Sequence, residues 1–399
     1  MGVKAGASWS NISDAFEAGH EAATLARHQI EDESADLALI FSSPHYSKPD
    51  LLEGVRSAVG PTPLLGCTDA GNLTREGPMH KSVAVMLVHA DGLEIRPGAG
   101  DKLSADPEEA GRAMAQQALD GRLGSGSGSG SLLLTFCEGS RGNLSAVLRG
   151  AQRVVGADLP IVGAAAGDDL RFTDTTQYCL SYLLKDSTVG FLLGGSVKFG
   201  VGTRHGWTSI SRPRLVTRAE GATVMEIEGQ PAIRLYQEYL GKAVTDLHEQ
   251  NLAAITAMYP LGFTIEGEDE SVMRFPLQIS QDGHLQCSGE VDEGAQVRLM
   301  MGTRDGVITS ARQAAEDATT HLKKGAVRAA VVFSSFARER VMGRDAALEM
   351  RTIREVLGEN VPVVGLYSYG EIAPFSGNGS CGPSRFRNDS VVVLAVGEG

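Results

Sequence analysis

Cysteine is scarce in this sequence, and its cysteines are widely separated. The five cysteines stand at positions 67, 137, 179, 287 and 381, and no two of them form a Cys-x-x-Cys pair. An odd, scattered set of thiols is typical of a reducing compartment and argues against a disulfide framework. We therefore expect a cytoplasmic protein whose cysteines are reduced.

Long apolar runs are also absent. No stretch reaches the roughly 18 uninterrupted apolar residues that a membrane-spanning helix needs, and the N-terminal segment "MGVKAGASWSNISDAF" has no apolar signal-peptide core. The sequence therefore predicts no membrane association.

Positive charge is in short supply. Lysine and arginine total 36 against 49 acidic residues, which gives a net charge of −13, and no basic stripe is visible along the chain. A nucleic-acid backbone would be repelled by this field, so we expect no nucleic-acid partner. The sequence leaves a homo-oligomer open.

The familiar catalytic and cofactor motifs are missing. The sequence has no His-Glu-x-x-His, Cys-x-x-Cys-His, P-loop or Gly-x-Ser-x-Gly motif. The segment "GVGTRHG" approaches a dinucleotide fingerprint, but its last glycine comes one residue late. The run "GSGSGSGS" at 124–131 is a flexible connector by composition. A nucleophile paired with a base at readable spacing is therefore not evident.

Three segments of the chain repeat one pattern. An apolar strand precedes a helix with one apolar face, a glycine ends that helix, and a second strand follows. The second strands read "PLLGCTDAG", "PIVGAAAGD" and "PVVGLYSYG", each with proline three positions before glycine. A short strand and an alanine-rich helix precede each segment, and a β-rich run follows it. Such internal repetition predicts three copies of one structural unit.

These repeats predict an α/β fold of three β-α-β-α-β-β units whose layered sheets are covered by helices. We expect the units at about residues 3–92, 93–204 and 296–397. The interval between the second and third copies is about twice the first, so an α+β insert is expected at about 205–295. The insert divides the chain into an N-terminal domain at 1–220 and a C-terminal domain at 221–399. A hairpin within the insert is predicted to turn at Asp282-Gly283.

The loops that follow the repeated strands are the first place to look for a ligand site, because α/β sheets bind ligands beyond the carboxyl ends of their strands. Only the third copy carries bulky polar groups there, while the others carry small residues. We therefore expect a pocket in which tyrosine rings and hydroxyls contact the ligand. The candidate ligand-binding residues are Tyr367, Tyr369, Gly370, Glu371, Cys67, Thr68, Asp69, Asp168, Arg204 and Trp207.

Alternatives remain open for several of these residues. Tyr367, Tyr369 and Glu371 also suit an ordinary strand edge with a solvated carboxylate, and Cys67 suits a small buried apolar residue. A hydrolase or transferase that uses Cys67 or Glu371 is a further hypothesis. His205 follows a strand in a glycine-rich turn, where a single imidazole could serve as an axial haem ligand or bond to the main chain.

Several motifs, in order along the chain, resemble the FIST domain family. They are "LLGCTDAGNL", "GQPAIRLYQEYLG", "YPLGF", "RFPLQI", "SGEVDEGAQVRLMMG" and "LYSYGEIAP", with "YGEIAP" the most specific. The resemblance covers nearly the whole chain, as an N-terminal FIST part followed by a C-terminal one. It implies a sensory module that binds a small molecule, such as an amino acid, and reports to a signalling protein.

One branch of this family consists of haem-binding nitric-oxide sensors that regulate histidine kinases or cyclic-di-GMP enzymes. Within that branch the resemblance assigns His205 as the proximal haem ligand. The sequence departs from the usual pattern near its end, where Arg387 stands before an asparagine at a place that histidine often occupies. The resemblance thus implies two readings, a sensor for a small metabolite and a haem-based gas sensor.

Overall fold

The structure is a computed structural model that describes residues 2–31, 33–120, 130–241, 249–265, 270–322, 325–377 and 380–398. Most of the predicted Gly-Ser connector at 124–131 lies outside this range. In the part of the chain that the structure describes, no helix is both long and apolar enough to cross a membrane.

The first two units have the same succession of elements. The first unit comprises β1 (Val3–Ser10), α1 (Ala15–Gln29), β2 (Leu37–Ser42), α2 (Pro49–Val59), β3 (Leu64–Thr68), β4 (Asn72–Thr74), β5 (Gly77–Met79) and β6 (Val83–Ala90). The second comprises β7 (Leu93–Gly100), α3 (Pro107–Asp120), β8 (Leu132–Cys137), α4 (Leu144–Val155), β9 (Ile161–Ala165), β10 (Gln177–Cys179), β11 (Tyr182–Leu184) and β12 (Thr188–Gly195). The predicted repetition is confirmed.

The third unit is interrupted by the insert. It opens with β13 (Val197–Arg204). The insert follows as β14 (Trp207–Ser209), β15 (Arg214–Glu220), β16 (Thr223–Ile227), β17 (Gln230–Pro231), α5 (Ile233–Leu240), α6 (Glu249–Met258), β18 (Leu261–Thr264), β19 (Val272–Arg274), β20 (Pro276–Ile279), β21 (Leu285–Cys287) and β22 (Gln296–Gly302). The unit resumes with α7 (Arg304–His321), β23 (Val327–Ser335), α8 (Phe336–Met342), α9 (Ala347–Leu357), β24 (Val363–Ser368), β25 (Gly370–Gly377), β26 (Ser380–Arg387) and β27 (Val391–Glu398).

This arrangement corrects the expected start of the third unit from about residue 296 to Val197. Strand β13 pairs antiparallel with β27, as β1 pairs with β6 and β7 with β12. Strand β22 imitates a unit's first strand in the sequence because it directly precedes α7, but it belongs to the sheet of the insert. The insert therefore lies inside the third unit, and the second unit ends before residue 197.

Each unit lends a hairpin to the sheet of another unit. The first sheet has the order β1-β6-β2-β3-β10-β11, the second β26-β25-β9-β8-β12-β7, and the third β13-β27-β23-β24-β4-β5. Hairpin β4-β5 thus completes the third sheet, β10-β11 the first, and β25-β26 the second. Since every sheet needs a neighbour's strands, the three units form one closed frame.

The repeated glycines of the second strands have a shared cause. In Gly66, Gly163 and Gly365, an added Cβ would lie 1.8, 1.7 and 2.0 Å from a main-chain oxygen of the neighbouring strand. Any side chain at these positions would push the parallel strands apart. The Pro-x-x-Gly pattern therefore marks three close approaches of paired strands, which explains why it recurs with the unit.

The inner faces of the three sheets share one apolar core. Phe41, Phe136 and Phe333 each come from the central region of a different sheet, and their ring centroids are 5.4, 5.7 and 6.4 Å apart in edge-to-face arrangements. All three rings are fully buried. The helices cover the outer faces, while the insert has its own core around Leu235 and Leu261. The frame is thus held at its centre by contacts between units.

The two chain connections between frame and insert meet at one buried arginine. Arg338 on α8 donates hydrogen bonds to the main-chain oxygen of His205 at 2.5 Å and to that of Val307 at 2.9 Å. Its Nε also donates to Glu349 at 2.7 Å, and both side chains of this ion pair are buried. Because His205 precedes the insert and Val307 follows it, Arg338 is hydrogen-bonded to the chain at both ends of the insert, a contact that we call the clasp.

Candidate functional site

A cavity of about 850 Å³ lies where the second unit, the insert and the third unit meet. Its size falls in the range of pockets that hold a small organic molecule. The lining residues are Gly139, Ser140, Arg141, Gly142, Asn143, Leu144, Leu170, Arg171, Phe172, Ala222, Phe275, Leu277, Gln278, Gln286, Cys287, Ser288, Gly289, Tyr369 and Phe386. The walls thus come from three parts of the chain that are distant in sequence.

Aromatic rings make up much of the wall. Phe172 stacks on Tyr369 with centroids 4.3 Å apart and ring planes 16° from parallel. Phe336 packs edge-on against both Tyr369 and Phe275, at 5.8 and 5.9 Å. This cluster connects the second unit, the third unit and the insert through ring contacts, so a molecule in the cavity would touch all three.

Asp168 ties the loop behind this wall to Tyr369. Its carboxylate accepts the Tyr369 hydroxyl at 2.5 Å and the amide N–H groups of Phe172, Thr173 and Asp174 at 2.8, 2.8 and 3.0 Å. Burial works to raise the pKa of Asp168, but these hydrogen bonds outweigh it and hold that pKa below its usual value. Asp168 is therefore ionised at neutral pH and organises its loop.

The same loop also contacts the first unit. The Ser43 hydroxyl donates to Asp169 at 2.8 Å, and the amide of Asp169 donates to the main-chain oxygen of Asp69 at 3.2 Å. The amide of Gly167 donates to the main-chain oxygen of Thr68 at 3.0 Å. The loop is thus hydrogen-bonded to the first unit on one side and lines the cavity on the other.

The predicted third-copy residues divide between the wall and the interior. Tyr369 lines the cavity, whereas Tyr367 is fully buried and its hydroxyl has no hydrogen-bond partner among the described residues. Gly370 packs under Phe386, since an added Cβ would lie 2.5 Å from that ring. Of these three residues only Tyr369 lines the cavity, and their role in ligand binding stays a prediction.

Glu371 lies in the interior, and the structure rules out the solvated strand edge for it. It accepts hydrogen bonds from the Ser368 hydroxyl at 2.6 Å and from the Ser390 hydroxyl and amide at 2.6 and 3.1 Å. Its side chain is completely buried. Burial raises the pKa of Glu371 to about 7, and the serine hydrogen bonds limit the rise.

Cys67, Thr68 and Asp69 lie at the junction of the first and second units, outside the cavity lining. Burial, with the nearby Asp69 charge, raises the pKa of the Cys67 thiol well above its ordinary value, which disfavours the thiolate that a nucleophile needs. Thr68 accepts the amide N–H of Thr176 at 3.0 Å. Asp69 accepts the Gly71 amide at 2.9 Å, and burial raises its pKa well above the usual value. The geometry here supports packing and hydrogen bonding.

His205, Arg204 and Trp207 lie together at the start of the insert and are not among the residues that line the cavity. His205 Nδ1 accepts the Trp207 amide at 2.9 Å, and its Nε2 lies 3.9 Å from a Glu270 carboxylate oxygen. Arg204 pairs with Asp317 at 2.6 Å. Trp207 is buried in the core.

These surroundings do not fit a haem. Burial and the nearby Arg387, Arg338 and Arg204 lower the pKa of His205 to about 3, so the imidazole is neutral, but one nitrogen is engaged and the other faces a carboxylate. Because Nδ1 accepts the Trp207 N–H, the proton of the neutral ring is on Nε2, and that nitrogen has no lone pair to offer a haem iron. Across the described ranges, no group of three or more His, Cys, Asp or Glu side chains could hold a metal ion.

Most of the wall was missed at the sequence level because its rings come from distant segments. One signal was present in the sequence: Gln177 follows Gly163 by 14 positions, whereas Asn72 follows Gly66 by 6 and Glu371 follows Gly365 by 6. The eight additional residues of the second copy form the loop that carries Asp168 and Phe172. A comparison of loop lengths between copies would have located this wall.

Frame, insert and cavity together have the form of a ligand-binding α/β protein. The chain belongs to the FIST family: a model described as FIST N domain matches residues 36–230, and one described as FIST C domain matches residues 232–374. FIST domains are sensory ligand-binding domains that occur in signalling proteins.

Relatives and solved structures add little about function. An uncharacterized protein of Mycobacterium tuberculosis is 26% identical over 395 residues, which cover 94% of this chain and 96% of the relative. An uncharacterized protein of Mycobacterium bovis is 25% identical over 384 residues, covering 91% and 92%. A cyanuric acid hydrolase from A. caulinodans covers 98% of this chain and 99% of its own at 10% identity and a TM-score of 0.39. A score this low carries no inference here.

Proposed function

We propose that this protein is a non-enzymatic sensor that binds a small molecule in the 850 Å³ cavity and passes the signal to a signalling protein such as a histidine kinase. The observation that carries the proposal is the shared wall: one cavity touches the second unit, the third unit and the insert. Its mixture of rings and a few polar groups is typical of a ligand pocket.

The mechanism would be a shift between arrangements of the insert and the frame. A ligand that contacts Phe172 and Tyr369 more favourably in one arrangement stabilises that arrangement by its difference in affinity. Asp168 holds the loop against Tyr369, and Asp169 bonds to Ser43 of the first unit. A change at the cavity wall would therefore reach the first unit, where a partner could read it.

A cavity-filling substitution tests the proposed site. Ala222→Trp places a large ring at the wall, while Ala157→Trp makes the same change at an exposed position outside the lining. Thermal unfolding should be followed across a metabolite library. We expect one or more compounds to raise Tm by at least about 2 °C in the wild type and in Ala157→Trp, and to leave Ala222→Trp unchanged.

Two controls make this result decisive. Without ligand, both variants should unfold cooperatively, which shows that the loss of a Tm shift reports binding. Equal shifts in Ala222→Trp and the wild type would place the ligand elsewhere, and an absence of any shift across the library would contradict the sensor proposal.

A further inference from the structure

The charge of the cavity lining is opposite to that of the chain. The protein as a whole has 49 acidic residues and a net charge of −13, yet among the residues that the structure describes the lining contains two arginines, Arg141 and Arg171, and no aspartate or glutamate. A local positive field inside an acidic protein selects for a negatively charged molecule.

Three carboxylates that adjoin lining residues, those of Glu138, Glu290 and Asp168, accept hydrogen bonds from the protein itself. Glu138 accepts the amide and hydroxyl of Ser140 at 2.9 and 2.5 Å. Glu290 accepts Arg149 at 3.0 Å and the Asn143 side chain at 2.6 Å. Asp168, as described above, is enclosed by N–H and O–H donors. These groups therefore oppose an anion in the cavity much less than unpaired carboxylates would.

The two lining arginines are placed where they can bind an anion. Arg141 donates one terminal N–H to the main-chain oxygen of Thr173 at 2.7 Å, which anchors its guanidinium and leaves further N–H groups for another acceptor. Arg171 lies in the loop between Asp168 and Phe172, and among the described residues its side chain has no hydrogen bond or ion pair. Guanidinium groups bind carboxylate and phosphate oxygens through paired hydrogen bonds.

A third cation lies directly behind the wall. Arg274 is buried, and its guanidinium donates to the main-chain oxygens of Met273, Glu290 and Phe386 without an ion pair among the residues that the structure describes. Gly289 lines the cavity in front of it, and a Cβ there would lie 2.6 Å from Nε. Burial lowers the pKa of Arg274 to about 10, so the group is charged at neutral pH.

The remaining wall suits a flat apolar body. Phe275, Phe386, Tyr369 and Phe172 all line the cavity, and the Arg274 guanidinium lies 5.5 Å from the centroid of the Phe386 ring. Aromatic walls favour planar molecules that stack or pack edge-on against them. Rings and cations are thus present in the same cavity, which a molecule with both features would engage at once.

From these observations we propose that the cavity binds a small organic anion, a carboxylate or phosphate attached to a flat ring system. The anionic head is held by Arg141 and Arg171 and lies in the field of Arg274, and the ring packs among the phenylalanines. This inference rests on the proposed function, since it names the class of ligand for the same cavity.

Matched probes with and without charge test the ligand class. Calorimetric titration should compare 2-naphthoate, 2-naphthyl phosphate, the neutral 2-naphthamide and the ringless anion acetate. The wild type should bind at least one of the two aromatic anions about tenfold or more tightly than the amide, because charge-assisted hydrogen bonds to guanidinium are lost in the amide. Acetate should bind at least about tenfold more weakly than naphthoate, because it lacks the ring. Whichever aromatic anion binds more tightly identifies the head group.

Charge removal on the protein gives the reciprocal test. In Arg141→Gln/Arg171→Gln the affinity for the preferred aromatic anion should fall about tenfold or more, while the affinity for naphthamide should be unchanged. The double variant Arg340→Gln/Arg351→Gln removes the same charge from exposed sites on α8 and α9 and should bind the anion as the wild type does.

Three results would overturn the ligand class: equal affinity for acid and amide, unchanged anion affinity in Arg141→Gln/Arg171→Gln, or no binding of either aromatic anion at millimolar concentration. The cavity assignment is judged separately with Ala222→Trp. If that variant abolishes binding of naphthamide or of a library compound, the cavity stands as a ligand site while the anionic class falls. If it leaves aromatic-anion binding intact, the proposed site falls with it.

Discussion

Two tyrosines of one short segment have opposite environments. Tyr367 and Tyr369 both lie near the end of the third repeated strand, and both are nearly or fully buried. The Tyr369 hydroxyl donates to the ionised Asp168 at 2.5 Å, whereas the Tyr367 hydroxyl has no partner among the described residues. The Tyr369 hydroxyl should therefore raise the free energy of unfolding, whereas the Tyr367 hydroxyl should leave it unchanged or lower it slightly.

This difference can be measured by removing one oxygen at a time. Tyr369→Phe should lower the free energy of unfolding by about 1–3 kcal/mol, because a buried charged acceptor loses a donor. Tyr367→Phe should leave it unchanged or raise it slightly. Urea unfolding at pH 7 compares them, and equal losses in the two variants would contradict the assignment of the Asp168 hydrogen bond.

At the level of single residues, the sequence pointed to the end of the third repeated strand but could not tell which of its side chains line the cavity and which are buried elsewhere. Tyr367 and Tyr369 are two positions apart. Yet Tyr369 contacts Asp168 and Phe172 of the second unit, whereas Tyr367 contacts Gly71 of the first unit. Those neighbours are brought in by tertiary packing, which no local pattern encodes. The hydrogen bonding of the buried Glu371 likewise depends on Ser390, the residue just before a different strand.

At the level of the element, the three hairpins that join the sheet of another unit share one side-chain hydrogen bond, and only the type of acceptor differs between them. Where each hairpin begins, a polar side chain accepts a serine hydroxyl from the residue just before the unit's last strand. The pairs are Asn72 with Ser82 at 2.6 Å, Gln177 with Ser187 at 2.9 Å, and Glu371 with Ser390 at 2.6 Å. Two hairpins use a neutral amide, and only the third uses a titratable carboxyl.

Because only the third hairpin has a titratable acceptor, its contribution to the free energy of unfolding should depend on pH. Burial raises the pKa of Glu371 from 4.5 to about 7, so the folded protein binds its proton more tightly than the unfolded chain does. The resulting stabilisation is fully present below about pH 4.5 and is lost as the pH rises through 7. Glu371→Gln, which makes this hairpin resemble that of Gln177, removes the dependence.

We therefore expect the difference in free energy of unfolding between wild type and Glu371→Gln to change by on the order of 2–3 kcal/mol between pH 5 and pH 8, in favour of the variant at pH 8. Urea unfolding at both pH values gives the difference, and carboxyls that do not interact with Glu371 cancel because both proteins contain them. Burial, together with the charge of Glu371, raises the pKa of Asp389, so the measured difference includes this interaction. A difference that is the same at pH 5 and pH 8 would show that Glu371 titrates normally.

The sequence predicted the helices and strands of the repeated units well, but it did not predict which strands pair with one another. Helix faces, the glycines that end them and the Pro-x-x-Gly strands depend on local periodicity and were recognisable. Which sheet a hairpin joins depends on the whole fold, and β22 imitated a unit's first strand because it also precedes a helix. Only the pairing of β13 with β27 distinguishes the two.

At the level of the whole molecule, the exchange of hairpins and the shared core make the three units interdependent. Phe41, Phe136 and Phe333 meet at the centre, one from each unit, so a cavity at any one of them removes contacts from the other two. Strands β16 and β21 of the insert pack in a separate core. A destabilising substitution at the centre should therefore weaken the hydrogen-exchange protection of all three units and leave that of these insert strands unchanged.

Phe333→Ala tests this interdependence. It should lower the free energy of unfolding by about 3–5 kcal/mol. Hydrogen exchange should speed up in β2 and β8 of the other units as well as in β23, while β16 and β21 of the insert keep their protection. Leu215→Ala, at a half-exposed position of the insert, should leave all these strands unchanged. Faster exchange confined to the third unit would contradict a shared core.

The clasp contacts of Arg338 hold the two ends of the insert side by side, so the insert could be replaced as one piece. The chain leaves the frame after β13 and returns before α7 at one place, where a Cβ on Gly206 would lie 2.5 Å from the main-chain oxygen of Gly306. The segment between these two glycines joins the frame at this one place, yet it supplies eight of the nineteen residues that line the cavity. If the proposed function holds, replacing the insert is expected to change the ligand that the cavity accepts, while the three-unit frame keeps its own strand pairing.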